Sequence, residues 1–422
     1  MDRLIIITDS YFDGNVHQDN GPYELLIENG LFSAIKPAAK ASRGLTSAPV
    51  DPGCDTTCYK TPFLMPGLVE AHCHLFLDGG ELDFKVRSEY LKAPTNEMMN
   101  VARKNVQESL ARGITLIRDA GDKFNINHSI KEEIRNNAGC QPNIRSPGLG
   151  LRRPQRYGSF MASEVHTHKD IVRYIKKLSD KSDDLKIILT GIIDFESGCV
   201  NGGPQFDLES LKLIVKTARD CKLPTFAHCS GIEGLELAVE AGVDSIEHGF
   251  FIDRVILERM AEKNIAWVPT FSPVHFQWKR PDIAGWDDDT VGNLRRIIDS
   301  HKDSIVLADE AGVPIVAGSD AGSHGVRHGD GLINELFILL ESGLPLDSVL
   351  RSATSTPRKL WGEVSADLVP GNQANFVALG GNPFQDPDQM WNVQAVYKDQ
   401  LHLLPITGND KKPTLAASWR AG

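Results

Sequence analysis

From Pro62 to about residue 360, short apolar runs alternate with longer stretches of helical period, and nothing else in the sequence restricts the fold so strongly. Strand-like runs fall at 68–71, 115–119, 143–146, 185–190, 224–228, 244–248, 266–270 and 314–320. Between them, Leu208, Leu211, Ile214, Val215 and Ala218 follow the spacing of one helix face, and the run 231–241 stops at Gly242 as a helix should. Eight such units predict an α/β protein built as a (β/α)8 barrel. A doubly wound sheet would carry a glycine-rich phosphate loop after its first strand, and His72-Cys73-His74 stands there instead.

The flanks read differently. Residues 1–60 break into short strands at turn signals such as Asp13-Gly14-Asn15 and Asn29-Gly30, and after Trp361 strands return at 373–379 and 393–398. The expected organisation is therefore a barrel over 61–360, with 1–60 and 361–422 joined in a small β-sandwich domain. A net charge of -11 argues against nucleic acid or an anionic membrane as partner and leaves a small-molecule substrate as the expected one. The seven cysteines are odd in number and scattered, and the Cys54/Cys58 pair has no second pair to complete a zinc site. Reduced thiols, and with no targeting segment a cytoplasmic location, are expected.

Chemistry in such barrels sits at the carboxyl ends of the strands. There the sequence places metal-capable side chains repeatedly. His72 and His74, at i and i+2 on an extended run, point to one side and can reach one ion. The fifth, sixth and eighth strands end on His228, His248 and Asp320. One terminal histidine is readily a satisfied core residue, whereas four histidines and an aspartate ending four strands point to a shared metal site.

The segments Pro66-Gly67-Leu68-Val69-Glu70-Ala71-His72-Cys73-His74, His228, His248, Gly318-Ser319-Asp320 and Ala366-Asp367-Leu368-Val369-Pro370-Gly371 resemble the amidohydrolase superfamily over nearly the whole chain. Gly242-Val243-Asp244-Ser245-Ile246-Glu247-His248-Gly249, with Asp184-Leu185-Lys186-Ile187, is most similar to its imidazolonepropionase-related, prolidase-like branch. The resemblance implies two divalent cations, zinc fitting the nitrogen and oxygen donors best, with carboxylated Lys186 bridging them. His72, His74 and Asp320 would hold one ion, and His228 and His248 the other. A hydroxide between the ions would attack the carbonyl of an amide-type C–N bond in an N-acyl amino acid, dipeptide, carbamate or related amide, with Asp320 as general acid and base. The bland reading of Lys186 is a lysine opening its strand in solvent. A homo-oligomer is the expected assembly.

Arg152 and Arg153, in a loop at the barrel mouth, can clamp a substrate carboxylate or form a solvated run; Tyr157, His324 and His328 are further candidates for substrate contact. Two departures from the branch, Cys229-Ser230 after His228 and an arginine-rich third loop, weigh against a dipeptidase. A mononuclear deaminase or cyclic-amide hydrolase is the alternative enzyme reading, weakened by Gly231 where a glutamate would stand in such relatives. A non-catalytic scaffold of the same fold is the third, although scaffolds lose ligands and all six are present here.

Overall fold

A computed structural model describes residues 3–38, 56–137, 139–398 and 401–405. Seven parallel strand positions succeed one another around a ring, and an irregular eighth segment closes it. The first strand, Leu68–Cys73, pairs with Ile114–Asp119, which pairs with Asn143–Arg145. The third position is split: the chain turns at Pro147 and resumes as Gly150–Arg152, which pairs with the fourth strand, Leu185–Ile188. Thr225–Cys229, Ser245–His248 and Ala266–Val268 follow in order.

Residues 314–321 form no regular strand. They nevertheless bond on both sides: the amide of Trp267 donates to the Pro314 carbonyl, and the amides of Ala71 and His74 donate to the carbonyls of Ala317 and Ala321. Pro314 lacks an amide hydrogen for a ladder, and Gly318 lets this segment press against the first strand. A Cβ at Gly318 would lie 2.9 Å from the His72 backbone nitrogen and 2.6 Å from Val268 Cγ1. The predicted barrel is therefore closed by isolated bridges rather than by an eighth ladder.

The helices cover the ring as their patterns predict. Leu208–Asp220 buries Leu211, Ile214, Val215 and Ala218, and its N-cap Asp207 accepts the Ser210 amide. Ile232–Ala241 ends on Gly242 in the left-handed conformation. The N- and C-terminal segments meet in one eight-stranded sheet, ordered Leu401–Pro405, Val393–Lys398, Phe376–Leu379, Thr56–Pro66, Arg3–Phe12, Tyr23–Glu28 and Leu31–Pro37, with His17–Gln18 beside Arg3–Phe12. Alternation along Thr56–Pro66 joins two cores: Leu64 packs with Leu4, Ile6 and Phe376, whereas Phe63 and Met65 belong to the core that runs into the barrel. At Gly67 the chain passes from sheet to barrel through a gap too narrow for a side chain, since a Cβ would meet Thr115 Oγ1 at 2.2 Å.

Cys54 lies outside the described residues, and Cys58 is half-buried and free. Cys73, between the two histidines, packs in the main core. Among the described residues no helix is long and apolar enough to cross a membrane.

Candidate metal centre

The strand-end histidines converge at one mouth of the ring. His72 Nε2, His74 Nε2 and an Asp320 carboxylate oxygen lie within 4.8 Å of one another, with Asp320 Oδ1 3.8 Å from His72 Nε2 and 3.6 Å from His74 Nε2. The His248 ring is centred 5.0 Å from that of His72 and 4.5 Å from that of His228. Lys186 enters from the fourth strand, 1% exposed, with Nζ 3.4 Å from His72 Nε2 and 4.8 Å from the Phe226 ring centroid. It does not open its strand into solvent. All six side chains are thus brought to one place.

Backbone conformation at the strand ends aims these groups. A regular strand would turn adjacent residues to opposite faces. His248, Thr270 and Asp320 instead take positive φ values of 68°, 51° and 53° at the ends of successive strands. Such conformations are costly for residues with a Cβ, and they concentrate where a fold must aim a side chain. Here the kink lets Glu247 face the barrel interior while its neighbour His248 faces the mouth.

Each of the four imidazoles has one nitrogen tied to an oxygen. His72 Nδ1 lies 2.5 Å from Glu247 Oε2, His74 Nδ1 3.2 Å from the Gly121 carbonyl, and His228 Nε2 3.2 Å from the Gly191 carbonyl. His248 Nδ1 lies 2.7 Å from Thr270 Oγ1, whose own hydrogen goes to the Pro269 carbonyl, so the histidine is the donor. In every case the other nitrogen keeps its lone pair, which is what a ligand to a cation requires. Burial holds the rings neutral, with His74 and His228 lowered to about 3 and His72 and His248 well below their ordinary value, the Lys186 charge acting in the same direction on all four. Burial also pulls the Lys186 amine down and pushes the Asp320 carboxyl up. A cation would favour the Asp320 carboxylate and the neutral Lys186 amine, and this donor set, four imidazole nitrogens and a carboxylate, fits divalent ions of the zinc type.

Several supporting residues carry no sequence motif. Glu247, fully buried, accepts from Arg118 Nη2 at 2.8 Å and Ser245 Oγ at 2.6 Å as well as facing His72. Arg118 also donates to the Ala71 carbonyl and lies under the Phe226 and Trp361 rings, so it holds Glu247 in place. Glu70 accepts from the Ser319 hydroxyl and amide and from the His72 amide, tying the two strands that bear His72 and Asp320. Glu335 accepts the amides of Phe271 and Ser272, fixing the loop after Thr270. Of these, Glu70 and Glu247 stood in the segments that carry the family resemblance, without a role of their own; a charged residue inside an apolar strand was the further signal for Glu247.

The five candidate substrate contacts are placed variously. Arg152 donates to the carbonyls of Ala162, Arg153 and Arg156 and to Glu164. Arg153 donates to the carbonyls of Val165 and His166 and to Ser210 Oγ. Both guanidinium groups therefore brace loops. Tyr157 lies over the metal side chains, its ring 5.3 Å from that of His228. His324 stacks on Phe84 at 4.2 Å and bonds to the Leu82 carbonyl. His328 is buried.

Comparison with known proteins gives the family and the fold. A family model described as the amidohydrolase family matches residues 63–415. An uncharacterised protein of Mycobacterium tuberculosis is 26% identical over 335 residues, spanning 79% of this chain and 83% of its own. An ochratoxinase of Aspergillus niger is 26% identical over 360 residues, spanning 78% of this chain and 72% of its own. Among solved structures, a Xaa-Pro dipeptidase with methionine in its active site matches with a TM-score of 0.80 at 23% identity, over 96% of this chain and 100% of that one, which shows a shared fold.

Proposed function

The chain belongs to the amidohydrolase family and is a hydrolase acting on C–N bonds, and from that premise we propose that it cleaves an amide-type bond of a small molecule at a two-cation site. His72, His74 and Asp320 would hold one ion, His228 and His248 the other, with Lys186 as a carbamate between them. Cations of this kind acidify water and polarise a carbonyl. The observation that carries the reading is the pairing of every site imidazole with an oxygen on one nitrogen while the other nitrogen keeps its lone pair, that of His72 facing the Lys186 amine.

The protein's own groups would do the rest. Asp320, whose side chain is 14% exposed against 1% for His72, is the site carboxylate that an entering water can reach. It takes the proton of the attacking water and returns it to the departing nitrogen, so the amine leaves neutral. Glu247 and Arg118 keep the His72 ring from rotating as charge develops. Burial lowers Lys186 to about 8, which raises the share of free amine that carbamate formation requires. Tyr157 carries a phenol close to His228 that can donate to the substrate carbonyl.

The test is chelator treatment followed by reconstitution with zinc, assayed on a panel of N-acyl amino acids, carbamates and cyclic amides. Amide hydrolysis lost on chelation, restored by zinc and abolished in Asp320→Asn supports the reading. Hydrolysis indifferent to chelator and to that substitution overturns it.

A further inference from the structure

A cleft of about 410 Å³ opens beside the metal side chains, lined by Leu77, Phe84, Val86, Leu91, Val101 and Phe160. Two of its wall residues border the site. Leu77 follows His74 by one turn, its amide donating to the His74 carbonyl. Phe160 forms the shared wall, its ring 6.4 Å from His74 on one side and 6.3 Å from Tyr157 on another. Arg87, also on the lining, donates to the carbonyl of Gly322, two residues past Asp320.

Several of the cleft's polar groups are engaged by the protein itself. Arg87 also donates to the carbonyls of Asp78 and Glu81, Tyr90 to that of Phe76, and Asp78 accepts from the Gly80 amide. Most of what remains to face a ligand is apolar. The helix Phe84–Tyr90 along the rim buries none of its residues, leaving Phe84 54% and Val86 49% exposed. A volume in the range of small-molecule pockets, apolar walls and a shared border with the reacting centre have one economical explanation.

We propose that this cleft is the subsite for an uncharged aryl or branched-alkyl substituent of the substrate, so that the enzyme selects amides bearing a bulky apolar group on one side of the scissile bond. The proposal rests on the amide-hydrolase reading above. A carboxylate substituent is disfavoured because Asp78 and Glu81 stand on the lining and the Arg87 guanidinium is committed to three backbone carbonyls.

The test has two arms. In the first, the zinc-loaded enzyme is given amides of one amine that differ only in the acyl group: acetyl, succinyl, isovaleryl and 3-phenylpropionyl. Expected is a kcat/KM for the phenylpropionyl substrate about 10- to 100-fold above that for acetyl, with succinyl no better than acetyl. Val101→Trp, which fills the cleft from the far helix, should lower the phenylpropionyl value about tenfold or more and leave acetyl unchanged. The same comparison is made with the apolar group on the amine side. In the second arm, binding of 3-phenylpropionamide to the metal-free protein is followed by ligand-observed NMR, with loss expected in Val101→Trp. Hydrolysis indifferent to the apolar group on either side and to Val101→Trp overturns the subsite but not the hydrolase. If no amide is cleaved, the function reading fails and the binding arm alone decides: binding lost in Val101→Trp supports the subsite, and no binding, or binding that survives the substitution, overturns it.

Discussion

Replacing Glu247 by glutamine isolates the support beneath the metal side chains. The carboxylate accepts from His72 Nδ1, Arg118 Nη2 and Ser245 Oγ, and all of these lie in the barrel interior. The amide is isosteric but has one acceptor oxygen, so its NH2 must confront at least one donor, and the Arg118 charge, 2% exposed, loses its counter-ion. Removing one member of a buried ion pair costs roughly 3–5 kcal/mol, and the isosteric amide should fall near the lower figure. Loosening the acceptor of a liganding histidine typically weakens metal binding by about 10- to 100-fold, or about 1.4–2.7 kcal/mol. Zinc affinity is read by competition with a chromophoric chelator, and stability by urea unfolding of the metal-free protein. A variant that binds zinc within about threefold of the parent would show that the His72 ring is held by something other than Glu247.

Two further outcomes follow from the same geometry. Thr270→Val removes the oxygen paired with His248 Nδ1 and keeps the side-chain shape; it should weaken the second metal about tenfold in the same chelator competition while leaving the first unchanged. His301 stacks on Phe250 and donates to the Pro269 carbonyl, and burial lowers it to about 3. Its unfolded form binds a proton near 6.5, so the stability it contributes is complete above that pH and is lost as pH falls toward 3. Between pH 6.5 and 5 the parent should lose about 2 kcal/mol relative to His301→Phe in urea unfolding of metal-free protein. A constant difference between the two would contradict a buried neutral ring.

The fold was legible because its signals are local. Helical spacing and the stop at Gly242 predicted elements that the structure reproduces within a residue or two. Legibility failed where the ring closes. Pro147 splits the third strand and residues 314–321 bond without a ladder, and both depend on contacts with segments far away in the chain. The metal side chains were visible because each ends an apolar strand, where a histidine or aspartate stands out. Lys186 was visible only through resemblance, since an apolar run continues past it, and its burial beside His72 is a tertiary fact. Glu247 and Thr270 had no chance of being read together with their partners, which lie 175 and 22 residues away. The loop arginines illustrate the opposite hazard: Arg152 and Arg153 look like anion clamps in sequence, but neighbouring carbonyls take their donors once the loops fold back.

The two-cation account is tested most directly by counting metal. Protein purified without chelator, and its Lys186→Ala variant, are measured by inductively coupled plasma mass spectrometry alongside amide hydrolysis. The account predicts about two divalent ions per chain in the parent, with a lower content and near-complete loss of activity in the variant. A single ion in the parent together with an active Lys186→Ala enzyme would contradict it.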